Sequence, residues 1–256
     1  MLHSQVLGAG PPLVLLHGLF GAGENLRVIA KALADHREVH MVDLPNHGQS
    51  PHLNTSDYLA MSDAVDEYLR SLDGPTAVIG HSMGGKVAMC SALRSPELVT
   101  HLIVLDIAPR RYSPSHREII KALRSLALAD LESRGDAETR LSQSIPSRPV
   151  RSFLLKNLIQ DDEGFRWKLN LPVLDSDYEK ILGWPADQLQ NLTFAGPTQF
   201  VAGARSDYLK PERDRDEINR WFTDADIAVI ANAGHWIHSD APEQVIERVD
   251  RVLGRA

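Results

Sequence analysis

One short segment constrains this chain more than any other. Thr76-Ala77-Val78-Ile79 is an apolar run, Val87-Ala88-Met89 belongs to a helical pattern, and Gly80-His81-Ser82-Met83-Gly84-Gly85 joins the two. A strand that becomes a helix over so few residues forces its turn residue into a strained backbone conformation. Side chains two positions to either side would collide, and Gly80 and Gly84 remove the collision. Ser82 then projects above a sheet at a helix N-terminus, where the Met83 N–H faces any developing negative charge. The spacing glycine-x-serine-x-glycine occurs by chance; the strand before it and the helix after it make it the signature of a nucleophile elbow.

The rest of the chain supplies a sheet for such a turn. Short apolar runs alternate with amphipathic stretches, which predicts βα units and a mostly parallel central sheet flanked by helices, an α/β fold. Strands are expected at Leu13–Leu16, Val39–Asp43, Thr76–Gly80, Leu102–Leu105, Thr198–Val201 and Ile227–Ile230. Helices are expected near Glu24–Ala34, Asp57–Leu72, Met83–Arg94, Pro211–Phe222 and Pro242–Leu253, the last with Asp240 as its cap. From Pro109 to Leu192 the rhythm changes: four short helical patterns (Ser115–Leu131, Ala137–Ile145, Val150–Ile159, Ser176–Leu182) appear without a convincing strand, punctuated by prolines. This reads as a helical cap over the strands' C-terminal ends, where open α/β sheets bind ligands. The division is core 1–108, cap 109–192, core 193–256.

Composition narrows the function classes. At 256 residues the chain can bury a large core without disulfides. Its single cysteine, Cys90, cannot form an internal bridge, which points to a reducing, cytoplasmic compartment. Cys90 itself is expected to pack behind the elbow. A net charge of -7 argues against nucleic acid as a partner. No apolar run approaches the roughly 20 residues needed to span a bilayer, and the first residues lack the pattern of a secretion signal.

Several segments fit around Ser82. Gly234-His235-Trp236 follows the last strand, so His235 can reach the elbow as general base. His17-Gly18-Leu19-Phe20 follows the Leu13–Leu16 strand and can offer a second oxyanion N–H, from Leu19 first and Phe20 second. His17 and the Asp43–Ser50 loop read as structural, and His238 as a packing or solvent-facing residue. The imidazole needs a carboxylate to fix its tautomer. Asp106, at the end of Leu102–Leu105, and Asp207, in the loop after Thr198–Val201, both qualify.

The ordered set His17-Gly18, Asp43…Gly48-Gln49-Ser50, Gly80–Gly85 and Gly234-His235 resembles the α/β-hydrolase superfamily over nearly the whole chain. His81, Lys86, Leu105-Asp106-Ile107-Ala108-Pro109 and Gly234-His235-Trp236-Ile237-His238 further resemble the compact YbfF-type bacterial esterases and their mitochondrial relatives. That resemblance implies an α/β-hydrolase fold with a helical cap inserted after the sixth strand. It implies hydrolysis of carboxylic esters, with short-to-medium acyl groups, and neither metal nor organic cofactor. It also favours Asp106 over Asp207, because Ser206 occupies the place in the later loop where the superfamily acid usually stands.

The expected substrate is a small-molecule ester. His81, Phe153, Leu154, Trp167, Trp184 and Trp236 are the candidate substrate contacts, with Leu158 beside them in the cap. Arg110-Arg111 reads as a solvated linker rather than an anion site. A thioesterase, a C–C bond hydrolase or a ligand receptor on the same fold would use the same residues.

Overall fold

Strands buried on both faces need helices on both sides, and the chain provides them in sequence. A computed structural model describes residues 1–254. The strands and helices of the first half are β1 (Ser4–Leu7), β2 (Pro12–Leu16), α1 (Arg27–Leu33), β3 (Glu38–Val42), α2 (Tyr58–Arg70), β4 (Thr76–His81), α3 (Met83–Arg94) and β5 (Val99–Leu105). The insertion holds α4 (Arg117–Ser125), α5 (Arg134–Leu141), α6 (Arg148–Leu155), β6 (Leu158–Asp161), β7 (Gly164–Trp167), α7 (Leu171–Ser176), α8 (Tyr178–Leu182) and α9 (Ala186–Leu189). The chain then returns with β8 (Thr198–Gly203), α10 (Pro211–Trp221), β9 (Ala225–Ile230), α11 (Ile237–Asp240) and α12 (Pro242–Leu253).

The main sheet has seven strands in the order β1-β3-β2-β4-β5-β8-β9. All pairings are parallel except β1 with β3. Alternate residues feed two apolar cores. Val14, Leu16 and Val78 face α2 and α3, while Leu13, Leu15 and Ile79 face α1 and α12. The first core continues into the insertion through Ile120, Leu154 and Leu174.

The structure departs from the sequence expectations in several places. Ser4–Leu7 forms an edge strand that a half-exposed four-residue segment does not announce. The insertion follows the fifth strand in chain order, one strand earlier than expected. The insertion also contains a β-hairpin, β6–β7, with Leu158 opposite Trp167 and Asp161 opposite Gly164. The helix expected through Ile159 therefore stops at Leu155, where Leu158-Ile159 turns into strand. Asp240 does not cap α12, whose N-cap position is Ala241 and carries no side-chain cap; the Asp240 carboxylate accepts from Gly234 N at 2.8 Å instead.

Buried polar ties join the insertion to the core. Tyr58 Oη donates to Ile181 O at 2.5 Å, and Asn170 Nδ2 donates to Asn46 Oδ1 at 2.9 Å. Asp177 Oδ2 accepts from Ser56 N at 2.8 Å and from Thr55 Oγ1 at 2.7 Å. A buried polar group without a partner costs about 1–3 kcal/mol, so such ties select one seating of the cap.

Candidate active site

The elbow has the geometry its glycines require. Ser82 takes φ 52°, ψ -120°, a conformation that costs about 1–3 kcal/mol and survives only where the surroundings over-determine it. Here Ser82 N donates to Leu105 O at 3.0 Å and Ser82 O accepts from Gly85 N at 2.8 Å. A Cβ at position 80 would stand 2.3 Å from Gly84 O, and one at position 84 would stand 2.5 Å from His17 O.

Three strand ends converge above β4. His235 Nε2 lies 2.9 Å from Ser82 Oγ, and His235 Nδ1 lies 2.8 Å from Asp106 Oδ2. With Nδ1–H donated to the carboxylate, Nε2 is left to accept the serine proton. Asp106 is fully buried and also strained, at φ 55°. Its Oδ1 accepts from Gly203 N at 2.9 Å, and Ser206 Oγ donates to its Oδ2. A buried carboxylate is tolerable only when its lone pairs are so filled. Asp207 is not part of this set: its side chain is 98% exposed and points to Lys210. One residue of displacement along the loop sends it to solvent and turns Ser206 inward.

The loop after β2 approaches the elbow closely enough that a Cβ at Gly18 would stand 3.2 Å from Ser82 Cβ. Leu19 lies on this loop. Phe20 N cannot serve as an oxyanion donor, because it already donates to His47 Nε2 at 3.2 Å. His47 Nδ1 in turn donates to Pro45 O at 2.9 Å. His17 donates from Nδ1 to Gly18 O at 2.8 Å and accepts Leu44 N at Nε2 at 3.0 Å. The Asp43 carboxylate accepts from Gly23 N at 2.7 Å and from Gln49 N at 2.9 Å. Gly48 takes φ 58° so close beneath Asp43 that any Cβ there would overlap the carboxylate.

Burial keeps the surrounding imidazoles neutral. It lowers His17 to about 4 and His47 to about 3. Burial also lowers His116 and His238 to about 4, and holds His81 well below its ordinary value. His81 Nε2 donates to His235 O at 2.8 Å, and its ring meets that of His238 edge-on at 4.5 Å. Burial likewise lowers Lys86 to about 7. Cys90 is buried within α3, with its thiol pushed well up by burial.

Of the expected substrate contacts, His81, Phe153, Leu154 and Trp236 line a cavity of about 640 Å3 that opens from Ser82 and His235. Trp167, Trp184 and Leu158 do not. Trp167 sits on the hairpin opposite Leu158, which is fully buried in the cap core, and Trp184 packs edge-on against Trp221 at 5.8 Å. Arg110 pairs with the buried Asp214 at 3.0 Å, and Arg111 pairs with Glu179, so the linker arginines are spent on the protein. Among the described residues, no cluster of three or more His, Cys, Asp and Glu side chains could hold a metal ion.

Three residues around the site carried no signal in the sequence. Tyr208 stacks on the His235 ring, with centroids 3.7 Å apart at 18°, and Tyr112 stacks behind it at 5.3 Å. Tyr112 Oη donates to Tyr208 O at 2.7 Å. Asn157, on the turn from α6 into the hairpin, donates from Nδ2 to Phe20 O at 2.8 Å. This holds the residue after Leu19 at its left-handed φ of 62°.

Residues 11–242 match the model of the alpha/beta hydrolase fold family. The chain belongs to that family. It is 38% identical to the mouse sn-1-specific diacylglycerol lipase ABHD11, over 95% of this chain and 81% of the relative. It is 35% identical to Esterase YbfF of Escherichia coli K12, over 94% of this chain and 92% of the relative. A solved marine microorganism esterase superposes with a TM-score of 0.92 at 35% identity, covering 98% of both chains. The α/β-hydrolase architecture, with its mostly parallel sheet and flanking helices, is thus common to this chain and its relatives. No helix among the described residues is long and apolar enough to cross a membrane.

Proposed function

We propose that this protein is a serine hydrolase of carboxylic esters that works through an acyl-enzyme. The observation that carries the reading is the unbroken hydrogen-bonded line from Ser82 through His235 to the buried Asp106. Relatives named esterase and lipase support the same class of chemistry.

In the first half-reaction His235 Nε2 takes the Ser82 proton as Oγ bonds to the ester carbonyl carbon. The Leu19 and Met83 N–H groups hold the oxyanion. The intermediate collapses, the C–O bond to the alcohol breaks, and His235 returns the proton to the leaving oxygen. Water then gives a proton to His235 as its oxygen bonds to the acyl carbon; the bond from that carbon to Ser82 Oγ breaks, His235 returns the proton to Oγ, and the free acid leaves. Loss of one oxyanion donor in comparable sites costs about 3 kcal/mol. The imidazolium formed in each half-reaction meets the Asp106 carboxylate on one side and the Tyr208 ring face on the other, while the nearby histidines stay uncharged.

In this reading residues 109–192 form a cap, between core segments 1–108 and 193–256, that sets which short-to-medium acyl esters enter. A buried, unpaired Cys90 accords with a cytoplasmic location. The test is turnover of p-nitrophenyl acetate by Ser82→Ala. Loss of turnover with an unchanged melting profile is expected; turnover equal to the unmodified protein contradicts the proposal.

A further inference from the structure

Two cavities meet at Ser82, and they differ in size and walls. The larger, of about 640 Å3, includes His235, Trp236, Val150 and Phe153. The smaller, of about 40 Å3, is bordered by Leu19, Ser82 and Met83, by the apolar surfaces of Tyr58, Ile107, Tyr112, Tyr178, Ile181 and Leu182, and by the polar Lys86, Ser113, Ser115, His116 and Tyr208. Among the described residues, His235 borders the larger cavity and not the smaller.

The chemistry allocates the two spaces. A general acid must lie within hydrogen-bond reach of the oxygen it protonates. The alcohol oxygen therefore faces His235, and the alcohol extends into the larger cavity. The carbonyl oxygen faces the Leu19 and Met83 N–H groups. The remaining substituent of the carbonyl carbon, the acyl chain, is left the smaller chamber. A water-sized group needs roughly 10–15 Å3 on this measure of volume, so the chamber holds about three such groups.

Most of the chamber's polar side chains already have partners within the protein. Tyr58 Oη donates to Ile181 O and Tyr112 Oη to Tyr208 O. Tyr178 Oη accepts from Ser115 N at 3.1 Å and from His116 N at 2.7 Å. Lys86 Nζ donates to Leu182 O at 3.3 Å and Gly183 O at 2.5 Å, beneath the rings of Tyr58 and Tyr112. Ring carbon and aliphatic surface make up most of what these walls offer a guest, with the Ser113 hydroxyl as a polar exception.

We infer that the smaller cavity is the acyl site and the larger the alcohol site, so that the preferred substrates are acetate and propionate esters of bulky apolar alcohols. This rests on the serine acyl-transfer reading above. It assigns Phe153 and Trp236 to the alcohol, and makes Tyr178, Ile181 and Leu182 of α8 the limit on acyl length.

Two ester panels and one inhibitor pair test it. Among p-nitrophenyl esters, kcat/KM is expected to peak at acetyl or propionyl and to fall at least tenfold by hexanoyl. With acetyl fixed, kcat/KM is expected to rise from ethyl to octyl alcohol. Ile181→Ala should raise the hexanoyl-to-acetyl ratio at least tenfold. Should that variant fail to fold, the unmodified protein gives the answer with p-nitrophenyl ethyl alkylphosphonates, in which Ser82 Oγ bonds to phosphorus and p-nitrophenolate leaves. The methylphosphonate should inactivate at least tenfold faster than the octylphosphonate. Faster inactivation by the octyl reagent, or a preference for octanoyl esters, overturns the allocation while an adduct on Ser82 leaves the acyl-transfer reading standing. No adduct on Ser82 from either reagent, with no ester turned over, overturns both.

Discussion

The floor and the roof of the active-site cleft are built on different principles. The floor consists of strand ends: Ser82 after β4, Asp106 after β5 and His235 after β9. Two of these residues hold positive φ, and each has its backbone N–H fixed by a carbonyl of a neighbouring strand, Ser82 to Leu105 and Asp106 to Val201. The roof is a set of helices four to nine residues long and one hairpin. Helices so short are marginal alone and depend on packing. The floor is therefore set by backbone hydrogen bonds shared with the sheet, and the roof by apolar contact and a few side-chain ties. The proposed function assigns chemistry to the rigid part, and choice of substrate to the part that can be repacked without disturbing it.

The sharpest break in this comparison comes from exchanging a floor residue for a roof residue. His235→Ala is expected to lower kcat by roughly 10^4- to 10^6-fold, the range seen when such a relay loses its base. Phe153→Ala should act mainly on KM, by about tenfold for esters of bulky alcohols. Steady-state kinetics on one ester series reads both, and a collapse of kcat in Phe153→Ala would erase the distinction.

Asn157 is where roof and floor touch. Asn157→Ala removes the donor to Phe20 O and frees the residue after Leu19. About tenfold loss of kcat is expected, along with destabilisation of about 1–2 kcal/mol in urea unfolding. Unchanged kcat would mean that the oxyanion loop holds its shape without the cap.

Tyr208 gives a smaller effect. A cation over an aromatic face gains about 0.5–2 kcal/mol, so Tyr208→Leu should lower kcat by about three- to tenfold and Tyr208→Phe by less than twofold. Equal losses in both variants would point to the hydroxyl rather than the stack.

How much of this was legible follows the same division. Gly80 and Gly84 announced the elbow because only glycine fits so close to backbone, and the strand-to-helix periodicity placed it. Residue type and strand position did not separate Asp106 from Asp207; the family resemblance favoured Asp106, and it is the Asp106 carboxylate that lies beside His235 while Asp207 faces solvent. Trp167 and Trp184 have the apolar surface of substrate contacts, but residue type does not say which way a ring faces among such short elements. The hairpin was hidden because Leu158-Ile159 continues the apolar spacing of Val150–Leu155. Phe20 was eliminated by His47, nearly 30 positions away in sequence. No local pattern encodes that contact.

A separate effect falls on stability and its pH dependence. His17, His47, His116 and His238 refuse protons in the fold down to about 3 or 4, whereas an unfolded histidine binds one near 6.5. Between those values the unfolded chain carries more protons. Stability should be complete above pH 6.5 and fall as the pH drops toward 4. Thermal unfolding from pH 7.5 to 4.5 checks this, and a Tm that holds constant through that range contradicts it.

The most direct test of the floor is the pair Asp106→Asn and Asp207→Asn, assayed side by side for kcat/KM on p-nitrophenyl acetate with both proteins shown to be folded. The account predicts a loss of about 10^4-fold in Asp106→Asn, because the amide cannot hold the imidazole tautomer, and less than a twofold change in Asp207→Asn. A large loss in Asp207→Asn with near-full activity in Asp106→Asn would contradict it.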